Sequence, residues 1–222
     1  MKIFKVKSVP VVGWSSETPR NLRPRISTLF WLIIGLFLFG TGETLLIGAG
    51  AGVSPWTVFA QGISLTFGVS IGTATLYIGI GVLLLWIPLK RTPGIGTILN
   101  VIIIAGVIEF LLPYIPNPVS YVGMGAQTIA GILLVGLGSG FYLVANLGAG
   151  PRDGLMTGLQ QLTNAPIAWV RISIEIIVTI IGWTLGGVVG VGTVMFALGI
   201  GPAVSAGLFL VGTVARDRAN PE

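Results

Sequence analysis

The sequence predicts an all-α polytopic membrane protein with six spanning helices and two short re-entrant or interfacial helices, arranged as two inverted-topology repeats. Three observations predict it. Hydrophobic residues make up 53% of the 222 and charged residues only 9%, against about 25% charged in an ordinary soluble chain. Six apolar windows are each long enough to cross a hydrocarbon core of ~30 Å. A pattern of long helix, glycine break, short helix and two more long helices occurs twice. At a mean hydropathy of +0.96, the chain carries more apolar surface than one water-soluble core can hide, and a bilayer is the solvent that removes the difficulty.

The elements follow in order. Residues 1–25 form a basic tail, read as cytoplasmic and flexible. Lys2, Lys5, Lys7, Arg20, Arg23 and Arg25 are six of the chain's twelve basic residues, and such a flank marks the cytoplasmic side of a membrane helix. Val9 to Val12 is too short for the apolar region of a signal peptide. The first window, 26–48, has Trp31 near its start and is ended by the run Gly48 to Gly52. The second, 70–89, ends at Pro88, Lys90 and Arg91. The third, 94–112, is closed by Pro113, Pro116 and Pro118. The others are 121–147, 166–188 and 191–215. Between them lie two shorter pieces, 54–67 with Gln61 and 152–164 with Gln160 and Gln161. Each makes a helix of about 20 Å, too short and too polar to cross easily. The alternative for both is a short tilted span or a surface loop. The membrane repeats are 26–116 and 119–216.

The halves align by residue identity. A shift of 98 lays Gly50-Ala51-Gly52 on Gly148-Ala149-Gly150, Gly40 on Gly138 and Gly42 on Gly140. With a gap of two, Gly94-Ile95-Gly96-Thr97 falls on Gly190-Val191-Gly192-Thr193. If the short pieces do not cross, Lys90, Arg91, Arg152, Arg171, Arg216 and Arg218 all fall on the cytoplasmic side with the tail, as the positive-inside rule demands. Three crossings per half is an odd number, so the halves run in opposite directions.

Ionisable groups inside such a chain are costly, and those present mark a candidate site. Glu43 lies inside the first window, and a carboxyl desolvated in hydrocarbon is suited to proton exchange. Arg171 and Glu175 stand four residues apart and share a helix face. Arg152 and Asp153 open the second short helix, where an acid meets the positive end of the helix dipole and the arginine can hold an anionic group. Glu109, near the end of its helix, reads as an interface residue. Asn100 and Gln127 read as helix-bridging amides. The breaks at Gly48, Gly50, Gly52, Gly148 and Gly150 free backbone polar groups at membrane depth, and broken elements at matching positions of two inverted halves point to a midplane site. Glycines such as Gly136 and Gly140 also permit close helix crossings. Trp31, Trp86, Trp169 and Trp56 read as interfacial belt residues rather than as groups that stack on a ligand.

Several function classes are excluded. The chain has no Cys and no His, so Ser-His or Cys-His nucleophilic pairs and zinc sites built on either residue are not available. Gly148-Ala149-Gly150-Pro151 is followed by no Gly-Lys-Ser/Thr and is neither a P-loop nor a dinucleotide fingerprint. The net charge of +5 sits mostly in the tail and reads as membrane orientation, not as nucleic-acid binding.

The stretch Ala145-Asn146-Leu147-Gly148-Ala149-Gly150-Pro151-Arg152-Asp153-Gly154-Leu155-Met156 resembles the signature segment of the YczE/YyaS/YitT-type family of bacterial membrane proteins, in its YczE branch. Gly52-Val53-Ser54-Pro55-Trp56-Thr57-Val58 resembles the first-half counterpart. The resemblance runs from about residue 30 to 215. It implies a multi-pass inner-membrane protein with a transporter-like role, and it carries no catalytic residues with it. The sequence therefore leads to a small-solute permease, not an enzyme, with a site near Glu43, Arg152, Asp153, Arg171 and Glu175. No cofactor or metal is implied. The partners are the bilayer and a small solute, and the glycine-rich faces allow a homo-oligomer. The alternatives are a membrane accessory protein that acts through a partner complex, and a passive channel.

Overall fold

A computed structural model describes residues 9–217. The described residues form eight α-helices: α1 Ile26–Ala49, α2 Pro55–Phe67, α3 Ile71–Leu85, α4 Ile95–Leu111, α5 Tyr121–Ala145, α6 Pro151–Thr163, α7 Ile167–Thr184 and α8 Val191–Asp217, with a 3₁₀ turn at Leu112–Tyr114 after α4. Their boundaries have local causes. Ser70 and Ser120 accept hydrogen bonds from the N–H groups of Thr73 and Gly123 and so cap α3 and α5. Pro55 and Pro151 open the two short helices at the first position, where a missing N–H costs nothing. Left-handed residues Gly68 and Asn164 close them.

The halves repeat at a constant shift of 96. That shift carries Pro55–Phe67 onto Pro151–Thr163, Ile71 onto Ile167 and Ile95 onto Val191. It carries Gly50, left-handed at φ 66°, onto Asn146 at φ 51°, and Gly52 at φ 104° onto Gly148 at φ 120°. The N–H of Gly50 bonds Ile47 O, and the N–H of Asn146 bonds the equivalent Leu143 O. The identity alignment at 98, with its gap of two, is therefore corrected. Gly50-Ala51-Gly52 corresponds to Asn146-Leu147-Gly148, and no gap is needed. Asn substitutes for Gly here because its short polar side chain tolerates the left-handed region.

Close crossings at small residues hold the long helices together. On the α1–α5 face Gly35 lies against Gly138 and Gly42 against Gly131. The contacts run in opposite numerical directions, so these helices are antiparallel. Gly136 and Gly140 seat Ala203 and Gly207 of α8, as read from the sequence, and Gly62 meets Gly182 where α2 crosses α7. At these points a Cβ would enter neighbouring backbone, and the gain is van der Waals contact between helices, which lipid cannot replace.

Among the described residues five helices are long and apolar enough to cross a membrane: α1, α4 with its 3₁₀ turn, α5, α7 and α8. The sixth expected span, 70–89, is shorter than anticipated. α3 ends at Leu85 because Pro88 has no N–H to continue the ladder, and the chain turns through Trp86–Lys90 with the N–H of Arg91 on Trp86 O. At about 22 Å, α3 approaches a full span only together with α2, from which it bends by 112°. Phe30, Ile33 and Phe37 of α1 and Ile176, Ile177 and Ile180 of α7 face outward. In water such faces would be an aggregation hazard, but in lipid they are ordinary solvent contact.

The tail is not free over residues 9–25. The N–H of Ser16 bonds Ala145 O at 3.1 Å, Asn146 Nδ2 donates to Ser16 O at 2.8 Å, and Thr28 Oγ1 donates to Trp14 O at 2.6 Å. Val12 is buried among Val144, Leu208 and Val211. Lys2, Lys5, Lys7 and Arg218 lie outside the described residues.

Candidate functional site

The first turn of each short helix is fixed from behind. α1 ends in the left-handed Gly50 and α5 in the left-handed Asn146, and in both halves the chain then crosses to the opposite repeat. The N–H of Gly96 bonds Leu147 O at 2.8 Å, and that of Gly192 bonds Ala51 O at 2.7 Å. Each repeat's Gly-x-Gly-Thr segment thus satisfies a carbonyl in the other repeat's break. Thr97 Oγ1 adds a bond to Ala149 O at 2.7 Å. Gly52 and Gly148 are required on two counts: a positive φ, and the lack of room for a Cβ against Gly190 and Thr193, or against Gly94 and Thr97. Gly48, expected in the break, instead lies inside α1, where its missing Cβ leaves room for Ile115 and Gln127. Gly150 is the extended N-cap of α6.

The two first turns open onto one cavity of about 270 Å³. It brings together all five charged residues singled out from the sequence: Glu43, Arg152, Asp153, Arg171 and Glu175. The lining obeys the repeat. Phe39 and Val135, Glu43 and Ser139, Ser54 and Gly150, Pro55 and Pro151, Trp56 and Arg152, Thr75 and Arg171, Gly79 and Glu175, Asn100 and Phe196, and Ile104 and Ile200 all line it. Each pair is separated by the same 96 positions. The cavity therefore lies where the halves meet, with equivalent chain positions presented from both and different side chains on seven of the nine pairs.

The charges are held in distinct ways. Glu43 is 1% exposed. Ser54 Oγ lies 3.0 and 3.2 Å from its two carboxyl oxygens, and Thr57 Oγ1 donates to Oε2 at 2.7 Å. The end of α1 is thereby tied to the first turn of α2. In the second half Tyr142 of α5 donates to Asp153 Oδ2 at 2.8 Å and ties α5 to the first turn of α6. Arg171 donates to Glu175 across one turn at 3.0 Å, the pairing read from their spacing. The Arg152 guanidinium lies 5.2 Å from the centroid of the Trp56 ring.

Trp56 corrects the belt reading. It and Trp86 are 6% and 3% exposed and belong to one buried cluster with Val82, Leu155 and Val178. Trp86 Nε1 donates to Pro151 O at 3.0 Å, seating α6, and its ring fills the space left by the absent side chain of Gly154. Tyr142, Ser54 and Thr57 escaped the sequence reading because hydroxyls are ordinary within apolar helices. The available signal was that Ser54 and Thr57 open α2 eleven and fourteen residues after Glu43. Gln127 bridges helices as expected, from its Nε2 to Leu45 O at 3.1 Å. Asn100 lines the cavity, and Glu109, exposed, accepts from Ser70. Among the described residues no group of His, Cys, Asp and Glu is arranged to hold a metal ion.

Fold and site together define a polytopic helical membrane protein whose helix bundle encloses a largely apolar cavity with five charged residues on its wall. The chain belongs to the family described as "Family of unknown function (DUF6198)", which matches residues 26–207. It is 39% identical over 212 residues to an "Uncharacterized protein" of Haemophilus influenzae, covering 96% of this chain and 95% of the relative. It is 34% identical to the "Uncharacterized membrane protein YczE" of Bacillus subtilis over 74% of this chain and 77% of the relative. It is 25% identical to "Uncharacterized protein YyaS" of the same organism over 73% and 83%. The resemblance to the YczE-type family is thus borne out. No solved structure matches the chain.

Proposed function

We propose that the protein is a small-solute permease of the bacterial inner membrane, built as two inverted repeats that rock about a fixed site at their interface. The observation that carries this reading is the paired lining of the cavity, in which nine positions of one half and their equivalents from the other line the same space. The antiparallel contacts of α1 with α5 support the inversion, since equivalent helices then run in opposite directions. A second depression supports cytoplasmic termini: Arg20 of the tail and Arg91 after α3 line it together with Asn146 and Thr157. These basic residues share one end of the bundle, as the positive-inside rule requires. An inverted repeat suits alternating access because each half can take the conformation of the other while the site on the axis keeps its place.

The chain has no native cysteine, which makes the test direct. Gln61 of α2 and Thr157 of α6 are equivalent positions. In whole cells carrying single substitutions Gln61→Cys or Thr157→Cys, a membrane-impermeant maleimide labels the first from outside and the second only after the cytoplasmic face is opened. Labelling of both from one side removes the inversion and, with it, this mechanism. Solute flux in proteoliposomes, or its absence alongside capture of a defined partner complex, separates a permease from an accessory protein.

A further inference from the structure

We propose that the cavity takes a small organic carboxylate with an apolar body, its head group held on the axis between the halves by the Arg152 guanidinium and the indole N–H of Trp56. This rests on the reading of the cavity as a solute site and adds the class of solute.

The argument begins with which polar groups are already served. Glu43 has Ser54 and Thr57, Asp153 has Tyr142, and Glu175 has Arg171. Every carboxylate in the cavity therefore has a protein donor. Among the described residues, Arg152 has no hydrogen-bond acceptor and no salt bridge. Its contact is the face of Trp56, and the carboxylates of Glu43, Asp153 and Glu175 act on its charge without a hydrogen bond to it. A cation over an aromatic face leaves the planar fork of N–H donors free at its edge, and that fork matches the two oxygens of a carboxylate.

A second observation, independent of charge, points the same way. Trp56 is 94% buried and lines the cavity, yet its Nε1 has no acceptor. Trp86, in the same cluster, has found one in Pro151 O. A buried donor left unpaired is costly, and an arriving acceptor removes that cost. The two residues that carry these unserved donors are in contact, and each donor asks for an acceptor.

The remaining walls define the body of the solute. Ile78, Val82, Val101, Ile104 and Phe196 are apolar and line the same space. They favour a hydrocarbon portion over a second charged end. Because Trp56 and Arg152 are equivalent residues of the two repeats, one head group touches both halves at once, as a solute carried between two access states must.

The test uses the purified full-length protein and three probes that share one ring and differ in the head: benzoate, benzamide and benzylamine. Equilibrium binding of radiolabelled benzoate, with the other two as competitors, is expected to show benzoate preferred over benzamide by about tenfold or more, the scale of one charge-assisted hydrogen bond, and benzylamine unable to compete. Arg152→Gln is expected to lose at least that factor. Trp56→Phe keeps the ring under the guanidinium, removes only the N–H, and is expected to weaken benzoate severalfold. If Arg152→Gln does not fold, unchanged affinity in Trp56→Phe overturns the assignment by itself. Preference for benzylamine overturns the anion but leaves a solute cavity standing. Failure of all three to bind overturns the carboxylate assignment, whereas the labelling of Gln61→Cys and Thr157→Cys bears only on the permease reading.

Discussion

Trp56 and Arg152 occupy the same position in the two halves, each the second residue of its short helix, and the guanidinium of one lies 5.2 Å from the ring centroid of the other. Two equivalent residues in contact lie where the two halves meet. One contact therefore places the first turns of α2 and α6 together at the cavity.

The glycine crossings are expected to be intolerant. A Cβ at Gly138 would sit 2.5 Å from Gly35 O and 2.6 Å from Phe39 N, both backbone atoms that cannot step aside. Gly138→Val should lower stability by about 1–3 kcal/mol, the usual cost of overpacking. Gly106, with nothing within 4 Å of a built Cβ, is the control: Gly106→Ala should be neutral or stabilising by about 0.5–1 kcal/mol. Thermal unfolding in detergent compares the two.

Glu43 is expected to matter first as an acceptor and then as a charge. Glu43→Ala strands the buried hydroxyls of Ser54 and Thr57, at a cost of about 1–3 kcal/mol. Glu43→Gln keeps one carbonyl acceptor and should cost clearly less. If Glu43 also carries a coupling proton, proteoliposomes with Glu43→Gln will no longer accumulate solute in response to a pH gradient while still exchanging it. Accumulation equal to that of the parent removes Glu43 from the coupling scheme.

The two cross-repeat threonines are expected to differ. Thr97 Oγ1 accepts from the N–H of Gly94 and donates to Ala149 O at 2.7 Å. Thr193 Oγ1 accepts from the N–H of Gly190 at 3.3 Å, and no donation to the opposite break accompanies it. Thr97→Val should therefore destabilise by about 1–2 kcal/mol and Thr193→Val by roughly half that. Equal effects in chemical unfolding would show that the cross-repeat bond contributes little.

Asn146 combines a left-handed backbone with a side-chain bond to Ser16 O. Asn146→Gly removes only the bond and should cost about 1 kcal/mol. Asn146→Ala adds strain at positive φ and should cost about 2 kcal/mol. Protease sensitivity of residues 9–25 should rise in both variants, since that bond helps fix the segment.

Much of the architecture could be read without coordinates, because lipid imposes one severe rule: backbone must be satisfied within helices, and charge is expelled unless it has work or a partner. That rule alone marked the apolar windows, the two short helices between glycine breaks, and Glu43, Arg152, Asp153, Arg171 and Glu175 as belonging together. The register of the repeat was not legible in this way. Gly50-Ala51-Gly52 and Gly148-Ala149-Gly150 match in letters, but the backbone pairs Gly50 with Asn146 and Gly52 with Gly148. Letters record side chains, while the repeat is a property of φ, ψ and crossing geometry, which Gly and Asn can share. Tertiary contact likewise decided that Trp56 is buried beside Arg152 and not at the membrane surface, and that residues of the 9–25 segment are pinned to α5. Each depends on which surfaces meet, and hydropathy along a single chain carries no information about that meeting.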